Sequence, residues 1–171
     1  PAPSVVAAMT GQQVEQLRLY SDPTGLSLKQ KLAELYGLKK ENVFISNGSD
    51  DILNFAFMAF SGPEAPAAFP DVSYGFYKVF GDLYGCTYET IPLEQDFRID
   101  PSKYHHRDGL VVIANPNAPT GLALSVAQVE QIVRSNPDRL VLIDEAYVDF
   151  GGESSVLLTK YYDNILVVGT F

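Results

Sequence analysis

The chain has 171 residues, 46% hydrophobic and 19% charged, with 12 Lys and Arg against 21 Asp and Glu for a formal net charge of −9. A mean hydropathy of +0.01 excludes a disordered tail or a coiled coil, and a pI near 4.5 without a basic cluster leaves no footprint for nucleic-acid phosphates. Asn54 interrupts the most apolar run, at 52–60, well short of the roughly 18 residues of a membrane span. A soluble protein is expected, with no membrane and no nucleic acid among its partners. The single cysteine, Cys86, and the lack of a signal-peptide pattern make a reducing, cytoplasmic location the default. The sequence opens on Pro1 and closes just after the apolar run 165–168, so 171 residues is expected to be the length of a piece.

Helical and strand-like signals alternate along the chain. Residues 27–36 place Leu28, Leu32 and Leu35 at helical spacing, and Gly37 stands where a left-handed helix stop belongs. Residues 43–45 read as a short buried strand running into Asn47-Gly48-Ser49-Asp50-Asp51, where Ser49 is expected to cap a helix continuing to Phe60. Tyr74, Tyr77, Phe80 and Tyr84 then recur at helical spacing up to Gly85. Strands are predicted at 88–91, 110–114, 140–143 and 165–168, and helices after the capping-box pair Ser125 and Gln128 and at 154–161. The order implies an α/β fold of three layers, α/β/α, around a mainly parallel sheet with right-handed crossovers.

Ligands bind beyond the carboxyl ends of the strands in such sheets, which directs attention to the loops 46–51, 115–121 and 144–147. The first joins a glycine turn to a helix start, whose free amides and dipole suit a phosphate but also occur at any capped helix. In the third, Asp144 and Glu145 end an apolar strand as in a nucleotide-hydrolase metal site, yet the chain has no Gly-Lys pair for a phosphate loop. A dinucleotide site fails as well, because no Gly-x-Gly-x-x-Gly follows a strand. Asn115-Pro116-Asn117-Ala118-Pro119-Thr120-Gly121 is a rigid turn whose amides could face the same crevice. His105 and His106 lie in a polar loop with no second ligand pair, so surface histidines are expected there and no metal site. Cys86 is expected to pack as a small apolar residue.

Taken together, residues 19–23, 47–53, 72–77, 115–121 and 143–150 give the chain its resemblance to a family. It resembles the fold type I pyridoxal-phosphate-dependent aminotransferases, and among them the histidinol-phosphate aminotransferases. The resemblance covers nearly the whole chain. It implies that Asp144 lies against the pyridine nitrogen of pyridoxal 5'-phosphate and keeps it protonated. It further implies that Tyr147 donates to the ring's phenolic oxygen, Tyr74 stacks on the ring, and the amides of Ser49 and Asp50 hold the phosphate. Thr170 would add a phosphate-binding hydroxyl. Tyr20 would reach the phosphate of the neighbouring subunit's cofactor, which makes a homodimer with shared active sites the expected state.

Two departures from the family pattern stand out. Ala118 occupies the place of an asparagine that donates to the phenolic oxygen, and Asn117 or Asn115 is the candidate substitute, with Tyr147 alone as the other solution. The Schiff-base lysine belongs just after a segment like 167–171, and the substrate-gripping arginine belongs to a later small domain. The resemblance thus divides the chain into an N-terminal segment, 1–20, and a cofactor-binding large domain, 21–171, truncated before the lysine, with the C-terminal small domain absent. For the parent protein it implies transamination of histidinol phosphate, a small phosphorylated amino alcohol, with 2-oxoglutarate in histidine biosynthesis. The chain as given is expected to be inactive. The alternatives are an aminotransferase for aromatic amino acids, a threonine-phosphate decarboxylase, or a catalytically dead module that binds the cofactor or a partner.

Overall fold

A computed structural model describes residues 2–171. The chain forms two compact units, one ending at Ile45 and the other spanning Ser46–Phe171; the expected N-terminal segment, by contrast, ends at residue 20.

The first unit holds three helices, α1 (Pro3–Ala8), α2 (Gly11–Gln16) and α3 (Leu26–Tyr36). The first two bury none of their side chains, and Thr10 caps α2 by accepting from the Gln13 amide. Gly37, at φ 62°, ends α3 as the sequence predicts; its own amide and that of Leu38 return to the carbonyls of Glu34 and Ala33. The strand predicted at 43–45 does not form. These residues follow a short 3-10 turn, Lys40–Asn42, and Phe44 is 66% exposed, so the apolar run is no buried ladder member.

The second unit contains α4 (Ser49–Phe60), β1 (Ala67–Pro70), α5 (Phe76–Leu83), β2 (Tyr88–Ile91), β3 (Leu110–Ala114), α6 (Val126–Ser135), β4 (Val141–Asp144) and β5 (Ile165–Val168). All strand pairs are parallel, in the order β2-β1-β3-β4-β5. Three predicted strands match in position; β4 lies one residue later than its apolar run, so that Asp144 is its last member. The sequence reading missed β1. Its four residues are all buried, but Pro66 precedes it, Pro70 ends it, and Phe69 is its only large apolar side chain, a pattern that reads as a turn. The helix predicted at 154–161 is only a 3-10 turn, Val156–Lys160, and α5 begins at Phe76, which leaves Tyr74 in the preceding loop.

The two-residue alternation of the strands sorts the core into two layers. Val111, Ile113, Val141, Ile143 and Ile165 pack with Val129, Ile132 and Val133 of α6. Leu110, Val112, Ala114 and Leu142 face the other way, onto Leu53 and Phe57 of α4 and Tyr77 and Phe80 of α5. The result is the predicted α/β/α sandwich. Ser125 and Gln128 close the capping box at the start of α6. The chain runs from β1 out to β2 and returns to β3 on the other side of β1, so the order of strands reverses between β1 and β3. Ligands bind at such a switch point in open α/β sheets.

Candidate active site

The loops after β1, β3 and β4 meet at the carboxyl end of the sheet. Asp144 is two residues beyond Leu142, so strand alternation turns it to the α4 and α5 face, while Glu145 turns to the other. The adjacent acids therefore do different work. Glu145 accepts from the Ser154 hydroxyl and the Ser155 amide, each at 2.6 Å, and pins the following loop. Asp144 is 5% exposed and accepts from the Tyr77 hydroxyl at 2.8 Å through Oδ2 and from the Ala146 amide at 3.2 Å through Oδ1.

Burial pushes the Asp144 carboxyl above the ordinary aspartate range; the donors Tyr77 and Ala146 pull it down, and the nearby Asp50 charge adds to the rise. Burial likewise raises Glu145, against the pull of Ser154 and Ser155. A carboxyl raised in the folded state binds its proton more tightly there than in the unfolded chain, so it lowers stability as pH rises through the folded value. Asp144→Asn removes that cost. The variant is expected to be at least as stable as wild type at neutral pH, with the difference closing below the unfolded aspartate range. Chemical denaturation across pH checks this, and a wild type more stable than the variant at neutral pH would contradict it.

Tyr74 links the carboxylate to the start of α4. Its hydroxyl donates to Asp50 Oδ1 at 3.0 Å, and its ring meets Tyr77 edge-on at 5.6 Å and stacks with Phe76 at 5.7 Å. Burial and the Asp50 bond raise its hydroxyl pKa. At α4 the expected cap is corrected: Gly48, not Ser49, holds the N-cap position, at φ 84° and without a side-chain bond. Ser49 is the first helical residue, so its amide and that of Asp50 lie among the N–H groups that a helix leaves without internal partners. Asp51, whose charge would oppose an anion, is turned back to the Ser46 hydroxyl and the Asn47 amide.

Asn117 is 1% exposed and ties two loops together. Its Nδ2 donates to the Val72 carbonyl at 3.0 Å and to Thr120 Oγ1 at 3.2 Å, while Oδ1 accepts from the Ser73 hydroxyl at 2.8 Å. Both of its amide hydrogens are engaged, which departs from the sequence reading of Asn117 as a free donor. Asn115 pairs with Leu124, donating to its carbonyl and accepting from its amide. Tyr147, beyond β4, is 56% exposed, with its ring 6.2 Å from that of Phe150. Thr170 is exposed two residues past β5, whose Val168 carbonyl accepts from the Glu145 amide. Tyr20 is fully exposed within the first unit. The structure thus brings Asp50, Tyr74 and Asp144 into one connected set through Tyr77, which sequence reasoning assigned only to a helical stripe.

A buried strand-end carboxylate bonded to Tyr77, the Tyr74 hydroxyl bonded to Asp50 and an uncapped helix start lie at the carboxyl end of a parallel sheet, where open α/β folds bind their ligands. Residues 1–171 match the family model described as aminotransferase class I and II, and the chain belongs to that family. It is 47% identical over 171 residues to histidinol-phosphate aminotransferase 1 of Hydrogenovibrio crunogenus, with 100% of this chain and 48% of the relative covered. It is 49% identical over 171 residues to the histidinol-phosphate aminotransferase of Marinomonas sp., covering 99% of this chain and 48% of that one. The structure of histidinol-phosphate aminotransferase from Sinorhizobium meliloti in complex with pyridoxal-5'-phosphate superposes with a TM-score of 0.85 at 26% identity, covering 100% of this chain and 48% of that chain. L-threonine-O-3-phosphate decarboxylase from Porphyromonas gingivalis shares the fold, with a TM-score of 0.80 at 22% identity over 94% of this chain and 51% of that chain. The chain spans about half the length of the curated relatives it matches. Among the described residues no helix is long and apolar enough to cross a membrane.

Proposed function

We propose that this chain is the cofactor-holding part of a pyridoxal 5'-phosphate-dependent aminotransferase that interconverts imidazole-acetol phosphate plus glutamate with histidinol phosphate plus 2-oxoglutarate. The observation that carries the cofactor reading is Asp144, a carboxylate buried at the carboxyl end of β4, beside β3, whose two hydrogen-bond partners are both donors. The substrate reading is supported by the histidinol-phosphate aminotransferases to which the chain is 47% and 49% identical. The donor set fits the cofactor: a carboxylate for a ring nitrogen, unpaired helix amides for a phosphate, and hydroxyls between them.

When bound, pyridoxal 5'-phosphate supplies a sink for the electrons left on the substrate's α-carbon. Asp144 holds the proton on the ring nitrogen, because a buried anion opposite that nitrogen favours its cationic form. The amides of Ser49 and Asp50 hold the phosphate, and Thr170 adds a hydroxyl to it. Tyr74 covers the ring, and Tyr147 donates to the phenolic oxygen. Asn117 acts one step back, by fixing the Val72 and Ser73 loop that carries Tyr74. Tyr20 serves the phosphate of a neighbouring subunit's cofactor, and the working form is a homodimer. The lysine and the substrate-binding arginine are supplied by the remainder of a longer protein.

Steady-state turnover by the full-length protein tests the substrate. Histidinol phosphate is expected to exceed phenylalanine and threonine phosphate in kcat/KM by at least about 100-fold, since a site built for polar groups strongly rejects analogues that lack them. A preference for phenylalanine, or release of carbon dioxide from threonine phosphate, would replace this reading with one of its relatives.

A further inference from the structure

We propose that Tyr77 is a positioning residue for the proposed cofactor site: its buried hydroxyl, donating to Oδ2 of Asp144 at 2.8 Å, fixes that carboxylate toward the ring nitrogen. The inference rests on the reading of Asp144 given above. Tyr77 and Asp144 lie 67 positions apart, and both are almost wholly withdrawn from solvent. A hydroxyl in such a place needs a partner, and here the partner is the buried carboxylate that ends β4. The tyrosine ring is held on three sides, by Phe57 at 6.5 Å, Phe69 at 5.7 Å and Tyr74 at 5.6 Å. Its hydroxyl therefore cannot follow the carboxylate if that group rotates, and the carboxylate must come to it.

The Ala146 amide fixes the other oxygen of Asp144, so the two donors together define the plane of the carboxylate. A carboxylate has about four lone-pair positions, and two donors leave capacity for a third, cationic N–H. Both fixed partners are donors, which favours the ionised carboxylate against its burial. Tyr77 itself stays protonated, since burial and the Asp144 charge push its hydroxyl far above the ordinary tyrosine value. The other charged or titratable groups acting on this pair are Asp50 of α4, Tyr74 of the loop after β1 and Glu145, the neighbour of Asp144.

Tyr77→Phe removes the hydroxyl and keeps the ring contacts, and thermal unfolding confirms that the variant folds. In the cofactor-free full-length protein, the ¹³C carboxyl resonance of Asp144, assigned by its loss in Asp144→Asn, is expected to titrate at higher pH in Tyr77→Phe than in wild type. Affinity for pyridoxal 5'-phosphate, measured by absorbance titration, is expected to fall about tenfold, the worth of one hydrogen bond to a charged group. In an Asp144→Asn background, Tyr77→Phe is expected to change that affinity by less than about twofold. An unmoved Asp144 titration, or an equal loss of affinity in both backgrounds, would overturn the proposal. Failure of the wild-type protein to bind the cofactor would instead overturn the cofactor reading, and with it the purpose assigned to Tyr77, while the carboxyl titration would still report the Tyr77 to Asp144 contact.

Discussion

Asp144→Asn in the full-length protein is expected to lower kcat for transamination of histidinol phosphate by about 10²–10³-fold, the usual loss when one preorganised electrostatic partner is removed from a buried site. Asparagine keeps the size of the side chain and can still accept from Tyr77 or from the Ala146 amide. It lacks the negative charge. In a site this dry, a ring nitrogen opposite a neutral amide loses its proton, and the proposed electron sink weakens with it. The same substitution removes a buried carboxylate whose ionisation costs stability at neutral pH. Turnover and stability are therefore expected to move in opposite directions, a pattern that separates a functional carboxylate from a structural one. Parallel loss of both would assign Asp144 to the fold instead. Steady-state kinetics and denaturation on the same preparation decide between them.

Gly109→Ala is expected to destabilise the second unit by on the order of 3 kcal/mol or more, beyond the usual cost of overpacking by a methyl group because the obstacle is backbone. A Cβ at Gly109 would lie 1.7 Å from the Pro66 carbonyl oxygen and 2.7 Å from its carbon. Neither atom can rotate aside. That same carbonyl accepts from the Leu110 amide at 2.9 Å, at the start of the β1 and β3 pairing where Ala67 lies opposite Leu110. The methyl group must therefore force apart the two strands that bound the switch point. The expected fall in Tm is roughly 6–12 °C for a domain of this size. A Tm within about 2 °C of wild type would show that β1 and β3 are not so closely joined.

The sheet was legible where strands are long in large apolar residues. Leu110–Ala114 and Ile165–Val168 announce themselves because doubly covered parallel strands need no polar side. Ala67–Pro70 was not legible: two alanines and a proline carry little hydrophobic signal, and its burial comes from the helices and strands around it. The opposite error occurred at 43–45, where Phe44 is apolar yet largely exposed. At the site, Asp144 stands out in the sequence as an acid ending an apolar strand, whereas the role proposed for it comes from the family resemblance. Tyr77 fits its pattern too well. A tyrosine at helical spacing reads as core, and core it is, but its hydroxyl carries a partner 67 positions away that no local periodicity encodes. Gly48 and Ser49 show a finer limit. The helix start was visible, but which residue sits at the N-cap depended on the positive φ that glycine tolerates.

The most direct test of the account is the ¹⁵N chemical shift of [¹⁵N]pyridoxal 5'-phosphate bound to the full-length protein and to its Asp144→Asn variant. The account predicts a protonated ring nitrogen in the wild-type protein at neutral pH and an unprotonated one in the variant. The same shift in both proteins would contradict the role given to Asp144.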